Sequence, residues 1–254
     1  MALYKHTIPI LEHDTNPHAL LPHNHHPEII FPNRAVFAFL GDTIDQYAQT
    51  HDAEVLDIFH TITCDTPIYR IWHQGEELCL CRAPLGGPAA VQMMDWLIGH
   101  GVSNIITAGS CGALTELPEN AFLIPSKALR DEGTSYHYLP PSRYVDISSE
   151  ARHTIHSVLS SHGLTAVECL TWTTDGFFRE TEEMVAYRRE EGCMAVEMEC
   201  ASLAACAQFR NVLFGQILYT ADSLADAQNY DERNWGEDSL EPALALCLDI
   251  AVKF

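Results

Sequence analysis

Short apolar runs alternate with helical spacings along most of the chain. Ala35-Val36-Phe37-Ala38-Phe39-Leu40 is continuously apolar and stops at Gly41-Asp42, which predicts a buried strand ending in a turn. A helix over Ile44 to Thr50 follows. Ile68 to Trp72 and Leu78 to Arg82 flank Gln74-Gly75 as a hairpin would. Leu85-Gly86-Gly87-Pro88 opens a helix through Met93, Met94, Trp96 and Leu97 that Gly99 and Gly101 end. Asn104 to Ala108 reads as a strand running into Gly109-Ser110-Cys111-Gly112, and Phe122 to Pro125 as another. Arg130 to Arg143 is polar and rich in Tyr and Pro, which predicts a structured surface loop. Helical spacing returns over Ser149 to His162, closed by Gly163. A strand over Ala166 to Trp172, a helix over Thr181 to Glu191 and a strand over Met194 to Val196 come next. The small apolar run Cys200 to Phe209 is a helix, Phe214 to Thr220 a strand ending at Ala221-Asp222, and Ser239 to Val252 the closing amphipathic helix.

Strands alternating with helices predict an α/β fold: one α/β/α sandwich around a central mixed sheet. Neither a composition break nor an internal repeat divides it, so residues 35–254 form one domain. Residues 1–34, with Pro17, Pro22, Pro27 and Pro32 and many His and Asn, predict an extended arm. In open α/β sheets ligands sit beyond the carboxyl ends of the strands. Gly41-Asp42, Gly109-Ser110, Thr174-Asp175, Glu197 to Glu199 and Asp222 all fall at predicted strand ends, although loops collect polar residues in any case.

The sharpest stretch is Val196-Glu197-Met198-Glu199, where an apolar strand hands over to an Ala-rich helix. Acids enclosed by Ala195, Val196, Ala201 and Leu203 are rarely buried without a partner. A carboxylate at a helix start, favoured by the free N–H groups there, accepts two hydroxyl hydrogen bonds, the way a sugar diol is held. The competing reading is an ordinary solvated helix start whose acids complement the dipole.

Composition narrows the classes. The 254 residues are 47% hydrophobic, enough for a substantial core. A net charge of −21, from 35 acids against 14 Lys and Arg, argues against nucleic acid and anionic membrane partners. No apolar run is long enough to span a bilayer, and Met1 to Asp14 lacks the pattern of a signal peptide. Nine scattered cysteines predict reduced, buried thiols and a cytoplasmic location. Cys79 and Cys81 lack a second pair at metal spacing, and His23, His25 and His26 lack partnering acids, so no metal or other cofactor is expected. The Gly-x-Ser-x-Gly elbow of a serine hydrolase is absent around Ser110-Cys111.

In order, Gly41-Asp42, Gly86-Gly87-Pro88, Gly109-Ser110-Cys111-Gly112, Val196-Glu197-Met198-Glu199 and Ala221-Asp222 resemble the motifs of the nucleoside phosphorylase/nucleosidase superfamily. The loop Arg130-Asp131-Glu132-Gly133-Thr134-Ser135-Tyr136-His137 looks like the uridine phosphorylase branch. The resemblance implies cleavage of the bond between ribose C1′ and a nucleobase, with phosphate as acceptor by family default and water in the nucleosidases. It implies a central mixed, barrel-like sheet and a homo-oligomer, a dimer or a hexamer built as a trimer of dimers. It further implies that Glu199 binds the ribose hydroxyls, with Met198 against the sugar and Glu197 beside it. Phe177 would stack on the base with Arg179 flanking it, and Ser110 would face the acceptor. A histidine of a neighbour's arm, His23 or His25, would reach the 5′-hydroxyl. Asp222 matches the acid that protonates the purine N7, because a base departs as an anion unless a proton arrives.

Two departures bear on the acceptor. Phosphorylases of the family hold phosphate with arginines, since a dianion needs bidentate, permanently charged partners. Here Asp45 and Thr107 occupy two of those positions; Gly41, Thr107, Ser110 and Arg130 make up the expected acceptor pocket, with Arg70, Lys127 or Arg179 as further cations. Nucleosidases place a Glu near Asp45 to activate water, so Asp45 and Asp222 form a candidate base and acid. The uracil-reading Gln and Arg fall at Thr181 and Glu183, and with Asp222 this favours a purine. Phosphorolysis, hydrolysis through Asp45, and nucleoside binding without catalysis are the three readings that result.

Overall fold

A computed structural model describes residues 3–23, 28–165, 167–226 and 228–254. The centre is one mixed sheet in which five strands close on themselves. These are β5 (Asn104–Ala113), β6 (Phe122–Asp131), β8 (Val167–Thr174), β9 (Cys193–Glu197) and β10 (Leu213–Ser223). They pair in the circuit β10-β6-β8-β9-β5, and β5 pairs again with β10. From β5 the sheet continues outward as a flange of β1 (Arg34–Ala38), β4 (Glu76–Arg82), β3 (Asp65–His73) and β2 (Glu54–His60), while β7 (Tyr144–Asp146) lies on β6.

Period-two alternation along the strands feeds two helical layers. Val36 and Ala38 of β1 face α1 (Thr43–Thr50), α3 (Ser149–Ser161) and α6 (Leu240–Ala251). Ala35 and Phe37 face α2 (Gly87–Gly99) and α5 (Cys200–Arg210) on the other side. α4 (Glu182–Glu190) covers β9. The α/β/α layering expected from the alternation is therefore present. All nine cysteines are unbridged, eight of them buried, and among the described residues no helix is long and apolar enough to cross a membrane.

Four local expectations need correction. β5 does not stop at Ala108 but runs on through Ser110 to Ala113. Gly109 and Gly112 permit close packing rather than a turn: a Cβ on Gly112 would lie 2.6 Å from Leu224 Cδ1, and one on Gly109 3.4 Å from Phe39 Cδ2. β6 continues six residues past Pro125, to Asp131. β2 went unanticipated because its sequence mixes acids with apolar residues, as suits the sheet's outer strand.

The fourth concerns Arg130 to Arg143. Arg130, Glu132, Thr134 and Ser135 are buried, so the first part is not a surface loop, whereas Pro140 to Arg143 are exposed as expected. The Arg130 guanidinium donates to Ser135 Oγ (2.8 Å), Pro140 O (2.8 Å), Ser142 Oγ (2.7 Å) and Leu139 O (3.2 Å). It also lies over the Tyr136 ring, 4.3 Å from its centroid. Arg130 is thus consumed in folding the segment back on itself. Arg130→Ala removes this donor from the buried Ser135 hydroxyl and from the loop oxygens of Leu139, Pro140 and Ser142, at a cost of about 1–3 kcal/mol. A clear fall in melting temperature is expected, and a variant melting with the wild type would return Arg130 to the surface.

Candidate active site

Where β5, β8, β9 and β10 end, a cleft of about 340 Å³ opens. β5 contributes Ser110, Cys111 and Gly112, and the turn after β8 contributes Phe177, Phe178 and Glu180. Val196 to Glu199 supply the floor, β10 supplies Ala221 and Asp222, and Leu85 and Trp235 stand at the rim.

Glu197 organises the floor without a free oxygen to offer. Its Oε1 accepts from Thr173 Oγ1 (2.6 Å) and Thr171 Oγ1 (3.4 Å). Its Oε2 accepts the backbone N–H groups of Glu199 (2.7 Å) and Cys200 (2.6 Å). Burial pushes this carboxyl up, while Thr173 and the two N–H groups oppose the shift. The result is a cap on the first turn of α5 that fixes the backbone of Glu199.

Glu199 is the residue so presented, 6% exposed. One oxygen accepts the Gly86 N–H at 2.6 Å, and the carboxyl lines the cleft. Gly86 adopts φ 89° and ψ 142°, a conformation that essentially only glycine visits. Burial, with the neighbouring Glu197 charge second, pushes the Glu199 carboxyl up to about 8. At the far end Asp222 accepts from Tyr230 Oη at 3.1 Å. Burial raises its carboxyl too, against that hydrogen bond and the charge of Arg233. Facing it is Glu180, pushed up to about 7 by burial and by Asp222. Both ends of the cleft thus carry carboxyls inclined to hold a proton, and Phe177 stands between with 44% of its surface open.

Of the residues singled out in the sequence, the cleft brings together Ser110, Phe177, Glu197, Met198, Glu199 and Asp222. Glu197 stands there as the holder of Glu199 rather than as a sugar ligand, since both its oxygens are taken. Thr107 is fully buried in β5 opposite Gln216, away from the cleft. Gly41 lines a separate groove with Asp42 and Glu237. Asp45 turns to the flange, where Oδ1 accepts Tyr69 Oη at 2.9 Å and Oδ2 lies 3.6 Å from Arg82. Arg179 is exposed, packing its Cβ against Gly176 rather than entering the cleft. Of the other cations considered for phosphate, Arg70 binds Glu54 and Glu77, and Lys127 binds Asp146. His23 lies against Gly99, at the end of α2 remote from Gly86, so it does not reach this chain's own cleft. His25 and His26 lie outside the described residues. No group of three or more candidate metal ligands occurs among the described residues.

Sequence reasoning missed Leu85, Glu180 and Trp235. Glu180 carried a signal, an acid three residues beyond Phe177. Trp235 carried none. It is held at φ 55° within the left-handed run Arg233 to Gly236, a geometry its polar surroundings do not announce.

Two outcomes follow from the hold on Glu199. The folded chain keeps its proton up to about pH 8, while an unfolded chain releases it near the ordinary value of 4.5. That contribution to stability is complete at acid pH and lost as pH rises across this interval. Glu199→Gln cannot titrate, so its melting temperature should fall less between those limits than the wild type's; equal falls would contradict the assigned shift. Gly86→Ala strains the backbone by about 1–3 kcal/mol and should weaken any ligand held by Glu199, measured by calorimetry.

A sequence model of the phosphorylase superfamily matches residues 33–253. The guanosine phosphorylase of Halorubrum lacusprofundi is 23% identical over 184 residues, covering 70% of this chain and 76% of that protein. Among solved structures, uridine phosphorylase from Vibrio fischeri superposes with a TM-score of 0.76 at 18% identity, over 88% of this chain and 93% of the other. AMP nucleosidase from Bacteroides thetaiotaomicron gives 0.71 at 22% identity, over 89% and 93%. At these identities the solved structures speak for the fold alone, phosphorolytic and hydrolytic enzymes alike. The family match spans nearly the whole chain, in the motif order read from the sequence, and the chain belongs to the phosphorylase superfamily.

Proposed function

We propose that this protein cleaves the N-ribosidic bond of a purine nucleoside. The observation that carries the reading is the pairing, in one cleft, of a backbone-clamped Glu199 with a buried Asp222 whose carboxyl is raised by that burial. Glu199 takes the ribose 2′- and 3′-hydroxyls, Met198 packs on the sugar and Phe177 stacks on the base. As the C1′–N9 bond breaks, its electron pair goes to the base and Asp222 delivers a proton to N7. The base then leaves neutral rather than as an anion. The acceptor oxygen, placed on the Ser110 side, closes on C1′; where it is water, the proton it sheds passes to solvent and Asp222 regains one from solvent, which restores the starting state. No cofactor takes part, and a homo-oligomer would bring His23 of a neighbour to the 5′-hydroxyl.

Water is the acceptor this cleft favours. Glu180, Glu197, Glu199 and Asp222 line it, and no Lys or Arg does among the described residues. Phosphorolysis is the second reading, favoured by the similarity to a guanosine phosphorylase.

Purified protein incubated with a nucleoside panel, with and without phosphate, tests both readings through the sugar product. Free ribose from a purine nucleoside, independent of phosphate, is expected. Ribose 1-phosphate formed only with phosphate would establish the second reading instead. Asp222→Asn should lower kcat/KM by about 10²–10⁴ and abolish the fall in activity with rising pH that ionisation of the Asp222 carboxyl sets. Turnover within twofold of wild type would remove Asp222 as the acid.

A further inference from the structure

One cation that the motifs did not point to ends the strand that leads into the site. Arg82 closes β4, and Ala83-Pro84 leads directly into Leu85 and Gly86, both part of the site. In the parallel register Arg82 stands beside Ala38 of β1, and Val36 beside Ile106 of β5. Continued two residues, that register sets Arg82 level with Ala108, two residues short of Ser110. Two strand spacings separate them laterally, about 10 Å. A guanidinium at this position is the group an incoming anion would seek.

It is already taken. Arg82 Nη1 binds Asp42 Oδ1 at 2.7 Å and lies 3.6 Å from Asp45 Oδ2. Asp45 is fixed in turn by the Tyr69 hydroxyl at 2.9 Å. Asp42 and Asp45 sit on the turn before α1 and on its first turn, so the helix start holds both carboxylates on one side of Arg82. Two carboxylates outweigh one guanidinium, and the cluster meets a phosphate dianion with net negative charge. A neutral nucleophile meets no such opposition.

We propose that Asp42 and Asp45, which lie outside the cleft itself, are built-in counter-ions of Arg82, and that by holding it two strands away from Ser110 they keep it from drawing phosphate to the cleft, so that a neutral acceptor is selected. Arg82, Asp42 and Asp45 are thereby specificity-determining residues, and Asp45 acts through Arg82 rather than as a base on water. The inference rests on the reading of the cleft as an N-ribosidic site, but it concerns anion binding and is tested apart from turnover.

The experiment titrates the full chain with inorganic phosphate, followed by calorimetry and by the 31P resonance. Wild type is expected to show no saturable binding. Asp42→Asn with Asp45→Asn keeps the side-chain shapes, frees Arg82 and should bind phosphate at least about tenfold more tightly. Adding Arg82→Met should abolish the gain. If the double variant melts far below wild type, Asp42→Asn alone, which leaves the Tyr69–Asp45 bond intact, should still bind phosphate measurably, and its failure to do so would count against the proposal. Saturable binding by wild type, or a double variant no better than wild type, would overturn it. In parallel, ribose 1-phosphate should appear from a purine nucleoside only where Arg82 is freed. Absence of base release from every variant would defeat the cleavage reading, while the titration still decides the counter-ion role.

Discussion

The site depends on one buried carboxylate that faces no ligand. Glu197 joins Thr171 and Thr173 of β8 to the first N–H groups of α5, so a strand of the closed ring and the start of a helix share one anchor. The Ala201 N–H also reaches Thr173 Oγ1, at 3.0 Å, which completes the join. Four hydrogen bonds to a carboxylate, two of them from a helix start, offset the cost of removing it from water. Glu199 then needs no side chain beyond that of Glu197 to find its place. Its backbone is set by Glu197, two residues before it, and its carboxyl by Gly86, far back in the chain.

Burial rather than mutual repulsion dominates the chemistry of the acids that line the cleft. For Glu180, Glu197, Glu199 and Asp222 loss of water is the largest influence, and each is shifted upward. In a chain of net charge −21 this reconciles an acidic composition with a site that must admit a substrate. Glu180 and Glu199, raised to about 7 and about 8, can keep a proton near neutral pH, donate hydrogen bonds as well as accept them, and spare the cleft part of the charge a solvated acidic patch would carry. The chain's few cations are engaged elsewhere. Arg130 folds its own loop, Arg188 bridges Asp131 and Glu191, and Arg210 grips Asp95 with two bonds while holding the Pro17 carbonyl of the arm.

Much of this was legible in the sequence, for a physical reason. Strand ends and helix starts are marked by local patterns, and Ser110, Phe177, Glu199 and Asp222 sit at such marks. What stayed hidden depends on who else competes for a side chain. Arg130 lies in a site-like loop, yet its guanidinium is spent on Leu139, Pro140 and Ser142, partners that no spacing rule identifies. Asp45 sits one helical turn past Gly41, but Tyr69, on a strand 24 residues away, turns it to the flange. Glycines misled at β5, where they serve close packing against Phe39 and Leu224 rather than a turn. Arg82 was passed over because it ends an ordinary hairpin strand.

The closed ring also constrains the order in which the chain acquires its structure. β5 is made early, but its longest partner, β10, lies more than a hundred residues later, with pairing from Leu213↔Asn104 to Ser223↔Ala113. Until residues 213–223 emerge, β5 and β6 each present an unpaired edge and the cavity has no wall at Asp222. Pairings of such separation are slow to form, and open edges invite association with other chains. The strand that carries Asp222 is therefore also the one that closes the ring and removes the open edges of β5 and β6.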